Sequence, residues 1–365
     1  MQLDPVDPER RPRIAFFSDR PPERMEPYMR GDFDLLAELG TVVWATSRVG
    51  PGWRRGLGPT GWLPPRAMLK LVCESDLVFQ WFATPAAPVV AARLCRTPAI
   101  VVAGGYDVAA VKEIGYGLML DGRTRMMGTL TLRLADRVLA FSEFAQREVK
   151  RWAPGANVGV AYLALRVQDY PRSEAPARPQ VVTVGAVCHD YLERKGLTTF
   201  ARASRLLPDV PFVLVGKHLE PSAVTTLREL GGENLKLTGF LSDAELRAVL
   251  RESAVYAQLS RHEGFGYAVA EAMLSGCTPV VTTAGALPEV VGDSGPVIPP
   301  DDEHAAAKAI SSALSMARVE SGRNRIVQHF AVQQRRELLR VETSALLRAA
   351  GFGKEPSGPR ASNDV

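Results

Sequence analysis

The segment His262-Glu-Gly-Phe-Gly-Tyr-Ala-Val-Ala-Glu271-Ala-Met273 is the most informative stretch of this 365-residue chain. It holds two carboxylates separated by seven residues, and a pair of glycines follows the first carboxylate closely. The glycines predict a loop over 264–266, because a glycine lets the backbone approach a ligand or another segment closely. The apolar residues that follow predict a helix over 267–275, which Gly276 ends.

The two acids, Glu263 and Glu271, have two interpretations. Each carboxylate can accept hydrogen bonds from a polyhydroxyl ligand, and the N-terminus of the helix between them favours a negatively charged group. In the other interpretation both acids are solvated caps of an ordinary loop and helix, since a glycine pair before a helix is a weak signal. The spacing alone leaves both interpretations open.

Short β-branched runs alternate with longer helical patterns along the chain, which is typical of parallel α/β architecture. Residues 166–178 are rich in Pro, Arg, Ser and Ala without periodicity, and they predict a linker. The halves on either side, 12–165 and 179–335, predict two Rossmann-like domains. The predicted strands are 13–18, 41–45, 77–80, 99–103, 137–141 and 158–161 in the first half, and 180–184, 212–215, 235–237, 254–257 and 279–281 in the second.

The end of the chain carries one long helical pattern over 323–349, and we set 336–350 apart as a C-terminal helix. Residues 1–11 and 351–365 are rich in proline and polar residues and have little apolar content. Both ends therefore predict tails.

Composition restricts the class of protein. The hydrophobic share of 46% predicts a soluble globular protein, and a formal net charge of +4 is too small to indicate nucleic-acid binding. The segment 123–151 is locally basic. Two interpretations of it stay open: a solvated helix face, or a peripheral contact with an anionic membrane.

The four cysteines, Cys73, Cys95, Cys188 and Cys277, are scattered and show no zinc-site spacing. They predict reduced core thiols in a cytoplasmic protein. The apolar stretch 78–102 is interrupted by arginines and prolines, so it predicts no bilayer-spanning helix.

Three pieces of sequence together resemble glycosyltransferase family 4 of the GT-B superfamily. They are Glu263-Gly-Phe-Gly266, Glu271-Ala-Met273 and Gly285-Ala-Leu-Pro-Glu-Val-Val291. The resemblance implies an α/β GT-B fold, with two Rossmann-like domains facing across a cleft and a last helix that crosses back to the first domain. It also implies a retaining glycosyltransferase that moves a hexosyl unit from a nucleotide-diphosphate sugar to a glycan, lipid or small-molecule hydroxyl.

The resemblance also implies a diphosphate site around Lys195-Gly196. In the family, a lysine at this position and an arginine directly after the glycine of the strand hold the diphosphate. Here Ala186 stands at the arginine position, and Arg194 or Lys217 is the candidate replacement. Without the resemblance, Lys195 is an exposed lysine at a helix start.

Other donor-site residues follow from the same resemblance. Glu263 is expected to bind the sugar hydroxyls and Glu271 the ribose, while the amides of 264–266 face the sugar and phosphates. Ser242 or Asp243 is also a good helix N-cap. The full set of expected donor-binding residues is Gly185, Arg194, Lys195, Gly216, Lys217, Phe240, Leu241, Glu263, Gly264, Phe265, Gly266, Glu271, Thr282, Thr283 and Gly285, with Phe240 and Leu241 beside the base.

The resemblance also implies a catalytic residue on the acceptor side, because many relatives place a His or Asp after the corresponding strand. In this sequence the matching residue is Asp107, in Ala103-Gly-Gly-Tyr-Asp107. A turn or helix cap is the alternative role. Pro21 and Pro22 stand where relatives often carry a flexible glycine loop. The expected catalytic set is therefore Asp107, Glu263 and Lys195.

The resemblance implies no metal and no cofactor beyond the nucleotide sugar, because cationic side chains and helix dipoles can neutralise the leaving diphosphate. The absence of an Asp-x-Asp motif agrees with this expectation. Two alternatives stay open: a catalytically degenerate protein that binds a nucleotide sugar or a partner without turnover, and a nucleotide-sugar epimerase of the same fold.

Overall fold

The structure is a computed structural model that describes residues 10–46, 64–171, 178–316 and 320–352. Most of the two predicted tails and residues 172–177 of the predicted linker lie outside the described residues. The described part of the linker holds a 3-10 turn over Val167–Asp169 and ends where a strand begins at Arg178.

The first half builds a six-stranded parallel sheet with the strand order β2-β1-β3-β4-β5-β6. Its central strands, such as β3 and β4, are buried along their whole length, as expected for a parallel sheet covered on both faces. The strands are β1 (Arg13–Ser18), β2 (Thr41–Thr46), β3 (Leu77–Trp81), β4 (Ala99–Ala103), β5 (Arg137–Ala140) and β6 (Val158–Val160). The helices between them are α1 (Pro27–Leu39), α2 (Pro65–Cys73), α3 (Ala87–Cys95), α4 (Gly122–Leu134) and α5 (Glu143–Trp152).

The second half builds another six-stranded parallel sheet, in the order β12-β11-β10-β7-β8-β9. Its strands are β7 (Arg178–Val184), β8 (Phe212–Val215), β9 (Leu235–Gly239), β10 (Ser253–Gln258), β11 (Thr278–Thr282) and β12 (Val297–Ile298). Its helices are α6 (His189–Arg194), α7 (Leu197–Leu206), α8 (Pro221–Leu230), α9 (Asp243–Glu252), α10 (Tyr267–Leu274), α11 (Leu287–Val291), α12 (Glu303–Leu314) and α13 (Ser321–His329), and α14 (Val332–Ala349) ends the described chain. Two parallel sheets surrounded by helices confirm the predicted two-domain α/β architecture.

The helical pattern predicted over 323–349 is in fact two helices, α13 and α14. The interruption has a specific cause: the amide of Leu165 donates to the carbonyl of Phe330 at 2.9 Å, and the amide of Val332 donates to the carbonyl of Leu165 at 3.2 Å. The carbonyl of Phe330 and the amide of Val332 therefore bond to Leu165, in the segment before the linker. They are not available for the hydrogen bonds that a continuous helix would need.

Helix α14 packs on α1 of the first half, so the chain crosses back as predicted. A buried ion pair anchors this contact: the guanidinium of Arg335 binds both carboxylate oxygens of Asp32, at 2.5 and 2.6 Å. Arg335 also donates to the carbonyls of Ala161 and Tyr162. A planar guanidinium suits such bidentate binding, and its remaining N–H groups are satisfied by backbone oxygens.

The cysteine prediction is wrong for two of the four residues. Helices α2 and α3 pack against each other and bring Cys73 and Cys95 to a Cα–Cα distance of 5.0 Å, where they form a disulfide. Cys188 and Cys277 are buried and lie outside any disulfide. Spacing along the sequence did not indicate the pair, because the packing of the two helices creates it.

The basic segment 123–151 falls mainly on α4 and α5. Arg123, Arg125 and Arg133 of α4 are exposed, which agrees with a solvated face, and the membrane contact stays a prediction. Within the described ranges, none of the helices combines the length and the apolar character that crossing a bilayer requires.

The Asp32–Arg335 pair predicts a large effect on stability. Replacing Asp32 by Ala leaves a buried guanidinium without its counter-charge, so we expect Asp32→Ala to lower the free energy of unfolding by about 3–5 kcal/mol. The same two helices supply a matched control, because Arg336 and Glu38 form a pair with both side chains about half exposed. Glu38→Ala should cost about 0–1 kcal/mol. Chemical denaturation of both variants measures the difference, and equal losses would contradict the role of the buried pair.

Candidate functional site

The site lies at the carboxyl edge of the second sheet, where it meets the first half. In parallel sheets, ligands bind outside the carboxyl ends of the strands. Gly185 follows β7, Gly216 follows β8, Phe240 follows β9 and Thr283 follows β11, so the expected donor residues share this edge. A Cβ on Gly216 would lie 1.9 Å from the carbonyl oxygen of Gly185, which leaves room only for glycine there.

Glu263 is the centre of a buried polar network. Its Oε1 atom receives three hydrogen bonds, from Lys195 Nζ at 2.5 Å, Gln258 Nε2 at 2.9 Å and Ser260 Oγ at 3.0 Å. Burial raises the pKa of Glu263, but the charge and hydrogen bond of Lys195, the charge of Arg194 and the hydrogen bond of Ser260 together outweigh burial, so the net pKa is lowered. The carboxylate is therefore ionised at neutral pH and is paired with a lysine.

The backbone around Glu263 is held by a close approach of two loops. Gly285 has a φ of +65°, and a Cβ there would lie 2.1 Å from the carbonyl oxygen of Glu263. The amide of Ala286 donates to that same oxygen at 2.9 Å. Thr282 Oγ1 donates to the carbonyl of Ser260 at 2.6 Å. The Gly285 loop thus positions Glu263 through the main chain, whereas Thr283 is exposed beside it.

The short helix α6 ends at Arg194, and Lys195 is its C-cap, directly before Gly196. Gly196 has a φ of +63°, and a Cβ on it would lie 1.9 Å from the carbonyl oxygen of Leu259, so the turn requires glycine. The guanidinium of Arg194 lies over two aromatic rings, 4.3 Å from the centroid of Tyr191 and 4.8 Å from that of Tyr116. This stacking holds a nearly buried cation beside Lys195.

Glu271 lies one turn into α10 and lines a different part of the junction. Burial raises its pKa to about 7, although the hydroxyl of Tyr170 donates to the carboxylate at 2.5 Å and lowers it in part. The carboxylate borders a cavity of about 440 Å³ between the two halves, which Tyr28 and Gly31 of α1 and Asp243 and Leu246 of α9 also line. Ser242 caps α9 in a capping box with Glu245, as expected of an N-cap.

The first half closes over this edge at the Gly264 loop. A Cβ on Gly264 would lie 2.1 Å from the carbonyl oxygen of Gly104, and Ser142 Oγ donates to the carbonyl of Gly264 at 2.7 Å. The carboxylate of Glu289 receives the amides of Glu143 and Phe144 at the start of α5, where the helix dipole favours negative charge. At this loop the two halves therefore approach at main-chain distance, and hydrogen bonds between side chains and backbone hold them together.

Two expected site residues have buried side chains. Asp107 is 2% exposed, and its carboxylate accepts the amides of Ala83, Gly104 and Gly105, so it stabilises the turn instead of facing the cleft. This geometry corresponds to the alternative turn role. Phe265 is 3% exposed and its ring lies 5.5 Å from that of Phe330 in the core, and the contact of its backbone amide with a ligand stays a prediction.

Other expected residues are at the periphery. Phe240 is 76% exposed after β9, and Lys217 is exposed after β8. Their contacts to a base or a phosphate stay predictions. The sequence reasoning missed Gln258 and Ser260, although two polar residues with alternating spacing at the end of a buried strand are a recognisable signal. It also missed Tyr116, which no local motif marks.

Comparisons with known proteins agree with this geometry. The model of the family Glycosyl transferases group 1 matches residues 178–316, which contain the Glu263 network. The chain is similar to O-antigen chain mannosyltransferase B of Escherichia coli, with 28% identity over 201 residues, 50% of this chain and 53% of that protein. It is also similar to the MMP alpha-(1->4)-mannosyltransferase of Mycolicibacterium hassiacum, with 39% identity over 140 residues, 35% of this chain and 34% of that protein. The matches thus span about half or less of these curated relatives.

Solved structures show the fold over nearly the whole chain. Sucrose-phosphate synthase of Thermosynechococcus elongatus superposes with a TM-score of 0.72 at 19% identity, covering 93% of this chain and 100% of that one. Anabaena HepE in complex with UDP gives a TM-score of 0.70 at 18% identity, covering 91% and 100%. The chain therefore has the two-domain α/β GT-B fold of these solved structures, and its residues 178–316 match the model of the family Glycosyl transferases group 1.

Proposed function

We propose that this chain is a retaining, metal-independent glycosyltransferase of family 4 that transfers a hexosyl unit from a nucleotide-diphosphate sugar to an acceptor hydroxyl. The observation that carries the proposal is the buried network of Glu263, Lys195, Gln258 and Ser260 at the carboxyl edge of the second sheet. The network combines an ionised carboxylate for sugar hydroxyls with an ammonium for phosphate oxygens, inside a closed cleft. Such preorganised charges are effective where water is excluded.

The diphosphate is assigned to Lys195 and Arg194. The ammonium of Lys195 has three N–H donors, so it can bind a phosphate oxygen while it keeps its bond to Glu263. Arg194 supplies the second cation in place of the arginine that Ala186 replaces. Among the described residues, no ion pair involves Arg194, so its N–H groups are available for phosphate oxygens.

The sugar and the nucleoside are assigned to the two glutamates. Glu263 binds hydroxyls of the hexose, and Glu271 binds the ribose in the adjoining cavity, with the base near Leu241 at the end of β9. The two acids are separated along the chain, because Glu263 lies in the loop before α10 whereas Glu271 lies one turn into that helix.

GDP-mannose is the donor that we propose first. Several relatives are named mannosyltransferases, and one is the GDP-mannose:cellobiosyl-diphosphopolyprenol alpha-mannosyltransferase of Komagataeibacter xylinus, with 35% identity over 72 residues. UDP-glucose is the second candidate, because Anabaena HepE has been solved with it, at 18% identity. The names of the relatives also support a glycan or lipid-linked acceptor.

In the proposed reaction, the bond between the anomeric carbon and the diphosphate oxygen breaks, and the acceptor oxygen bonds to the same carbon on the same face. The acceptor proton passes to an oxygen of the leaving diphosphate. Lys195 and Arg194 stabilise the negative charge that develops on this group. Glu263 holds the sugar through its hydroxyls, and this reaction needs no protein nucleophile.

The test is the transfer or hydrolysis of GDP-mannose and UDP-glucose by the purified protein. We expect Lys195→Ala to weaken donor binding about 10- to 100-fold, which corresponds to the loss of one charged hydrogen bond of about 1.5–3 kcal/mol. Lys308→Ala is the matched control, because Lys308 is an exposed lysine of α12 in the same half. Thermal unfolding of both variants separates lost binding from lost folding.

The alternatives give different products in the same assay. Donor binding without transfer or hydrolysis over a broad acceptor set identifies a degenerate protein, and conversion of the donor into another nucleotide sugar identifies an epimerase. If the wild type binds neither donor, the proposed function is wrong.

Glu271 predicts a pH dependence of donor binding. Its pKa of about 7 means that the carboxyl is half protonated near neutral pH in the unliganded protein. Ribose hydroxyls that donate to the carboxylate favour its ionised form and lower this pKa, so binding should release up to about half a proton at pH 7. Affinity should therefore fall as the pH drops below 7, by at most about tenfold per pH unit.

Isothermal titration with GDP-mannose in buffers of different ionisation enthalpy measures the released proton. The nucleotide sugar is a suitable ligand, because it has no terminal phosphate that titrates near neutral pH. Glu271→Gln should abolish the release and flatten the pH dependence of affinity. Equal proton release by the variant would show that Glu271 does not contact the ligand.

A further inference from the structure

His262 lies at the junction of the two halves, directly before Glu263. Its imidazole is only 6% exposed. Two rings of the first half flank it: the centroid of Tyr116 lies 5.2 Å away and that of Phe144 5.4 Å away. The side chain is thus enclosed between the loop that carries Glu263 and the first half of the chain.

The imidazole lacks the hydrogen bonds that its burial calls for. Among the described residues, neither Nδ1 nor Nε2 of His262 has a hydrogen-bond partner, and both atoms are buried. Buried polar groups in folded proteins almost always have partners, because an unpaired one loses its hydration without compensation. Its neighbours on the network, Gln258 and Ser260, are both bonded. The unpaired ring therefore indicates a partner that the chain itself does not supply.

The charge of the ring restricts what this partner is. Burial lowers the pKa of His262, and the nearby cations Arg194 and Lys195 lower it further, although Glu263 opposes them. A neutral imidazole has one N–H donor and one nitrogen acceptor. A hydroxyl group can both donate and accept, so it suits either nitrogen. Phosphate oxygens only accept, and the two cations beside the ring already suit them.

We propose that the imidazole of His262 hydrogen-bonds a hydroxyl of the transferred hexose, and this inference rests on the proposed donor site. His262 directly precedes Glu263, and the charge of Glu263 acts on the imidazole. Glu263 is the carboxylate that we assign to the hydroxyls of the hexose. Tyr116 covers both the ring and the guanidinium of Arg194. Tyr116 lies in the loop between β4 and α4, outside both sheets, so its ring can give way to a bound sugar while the sheets stay in place.

The test compares the affinity for GDP-mannose with the affinity for GDP, which lacks the hexose. His262→Phe keeps a ring between Tyr116 and Phe144 and removes both nitrogens. We expect the variant to bind GDP-mannose about five- to tenfold more weakly than the wild type, as the loss of one neutral hydrogen bond implies, with the affinity for GDP unchanged. If the wild type binds UDP-glucose more tightly than GDP-mannose, the test uses UDP-glucose in place of GDP-mannose and UDP in place of GDP.

Two further variants complete the experiment. His262→Asn and His262→Gln place an amide near the position of one ring nitrogen or the other, and one of them should restore part of the selectivity for the sugar. Phe144→Leu is the matched control, because it changes the packing on the same ring without removing a polar atom and should leave the ratio of the two affinities unchanged. Thermal unfolding verifies that each variant is folded, and if His262→Phe does not fold, the Asn and Gln variants alone decide.

Several outcomes would overturn the proposal. Equal losses for GDP-mannose and GDP, or no loss for either, would show that His262 only packs in the junction. A raised KM for the acceptor with unchanged donor affinity would place the ring on the acceptor instead. Failure of the wild type to bind any nucleotide sugar is a different result, because it rejects the proposed function itself.

Discussion

The contact between Gly264 and Gly104 is the constraint on which the rest of the site depends. Any side chain on Gly264 would place its Cβ 2.1 Å from the carbonyl oxygen of Gly104, so the two halves approach at their main chains. A hydrogen bond from Ser142 of the first half to the carbonyl of Gly264 holds the two halves at this distance. Glu263 precedes this contact directly, and its carboxylate is therefore held at the junction and shielded from bulk water.

This close junction determines which residues of the two halves contact each other in the cleft. Backbone contacts bring the first-half ring of Tyr116 over Arg194 and His262 of the second half. The buried pair of Arg335 and Asp32 stabilises the same arrangement at a distance, because it fixes the last helix on the first half. The cleft is thus assembled from both halves, although the second half supplies the charged groups assigned to the donor.

Much of the fold, and the position of the expected donor residues at one edge of the second sheet, could be predicted from the sequence, because both depend on local patterns. β1, β4 and β8 have the predicted bounds, and the helix after Gly266 begins where its apolar run begins. The predictions failed where a partner distant in sequence decides the outcome. Leu165 interrupts the last helical pattern, and the packing of α2 on α3 joins Cys73 to Cys95. The enclosure of His262 by two rings of the other half depends on tertiary structure in the same way.

The departure at Ala186 can be understood from charge and stacking together. The proposed diphosphate site needs a second cation beside Lys195, because one ammonium that also binds Glu263 leaves much of the diphosphate charge unpaired. An unrestrained arginine in this position would itself pair with Glu263 and neutralise the site. The rings of Tyr191 and Tyr116 restrain the guanidinium of Arg194 in this structure, because its central carbon lies 4.3 and 4.8 Å from their centroids. An arginine displaced along the chain can then do the work of the missing one, provided that the first half contributes Tyr116 and the cleft is closed.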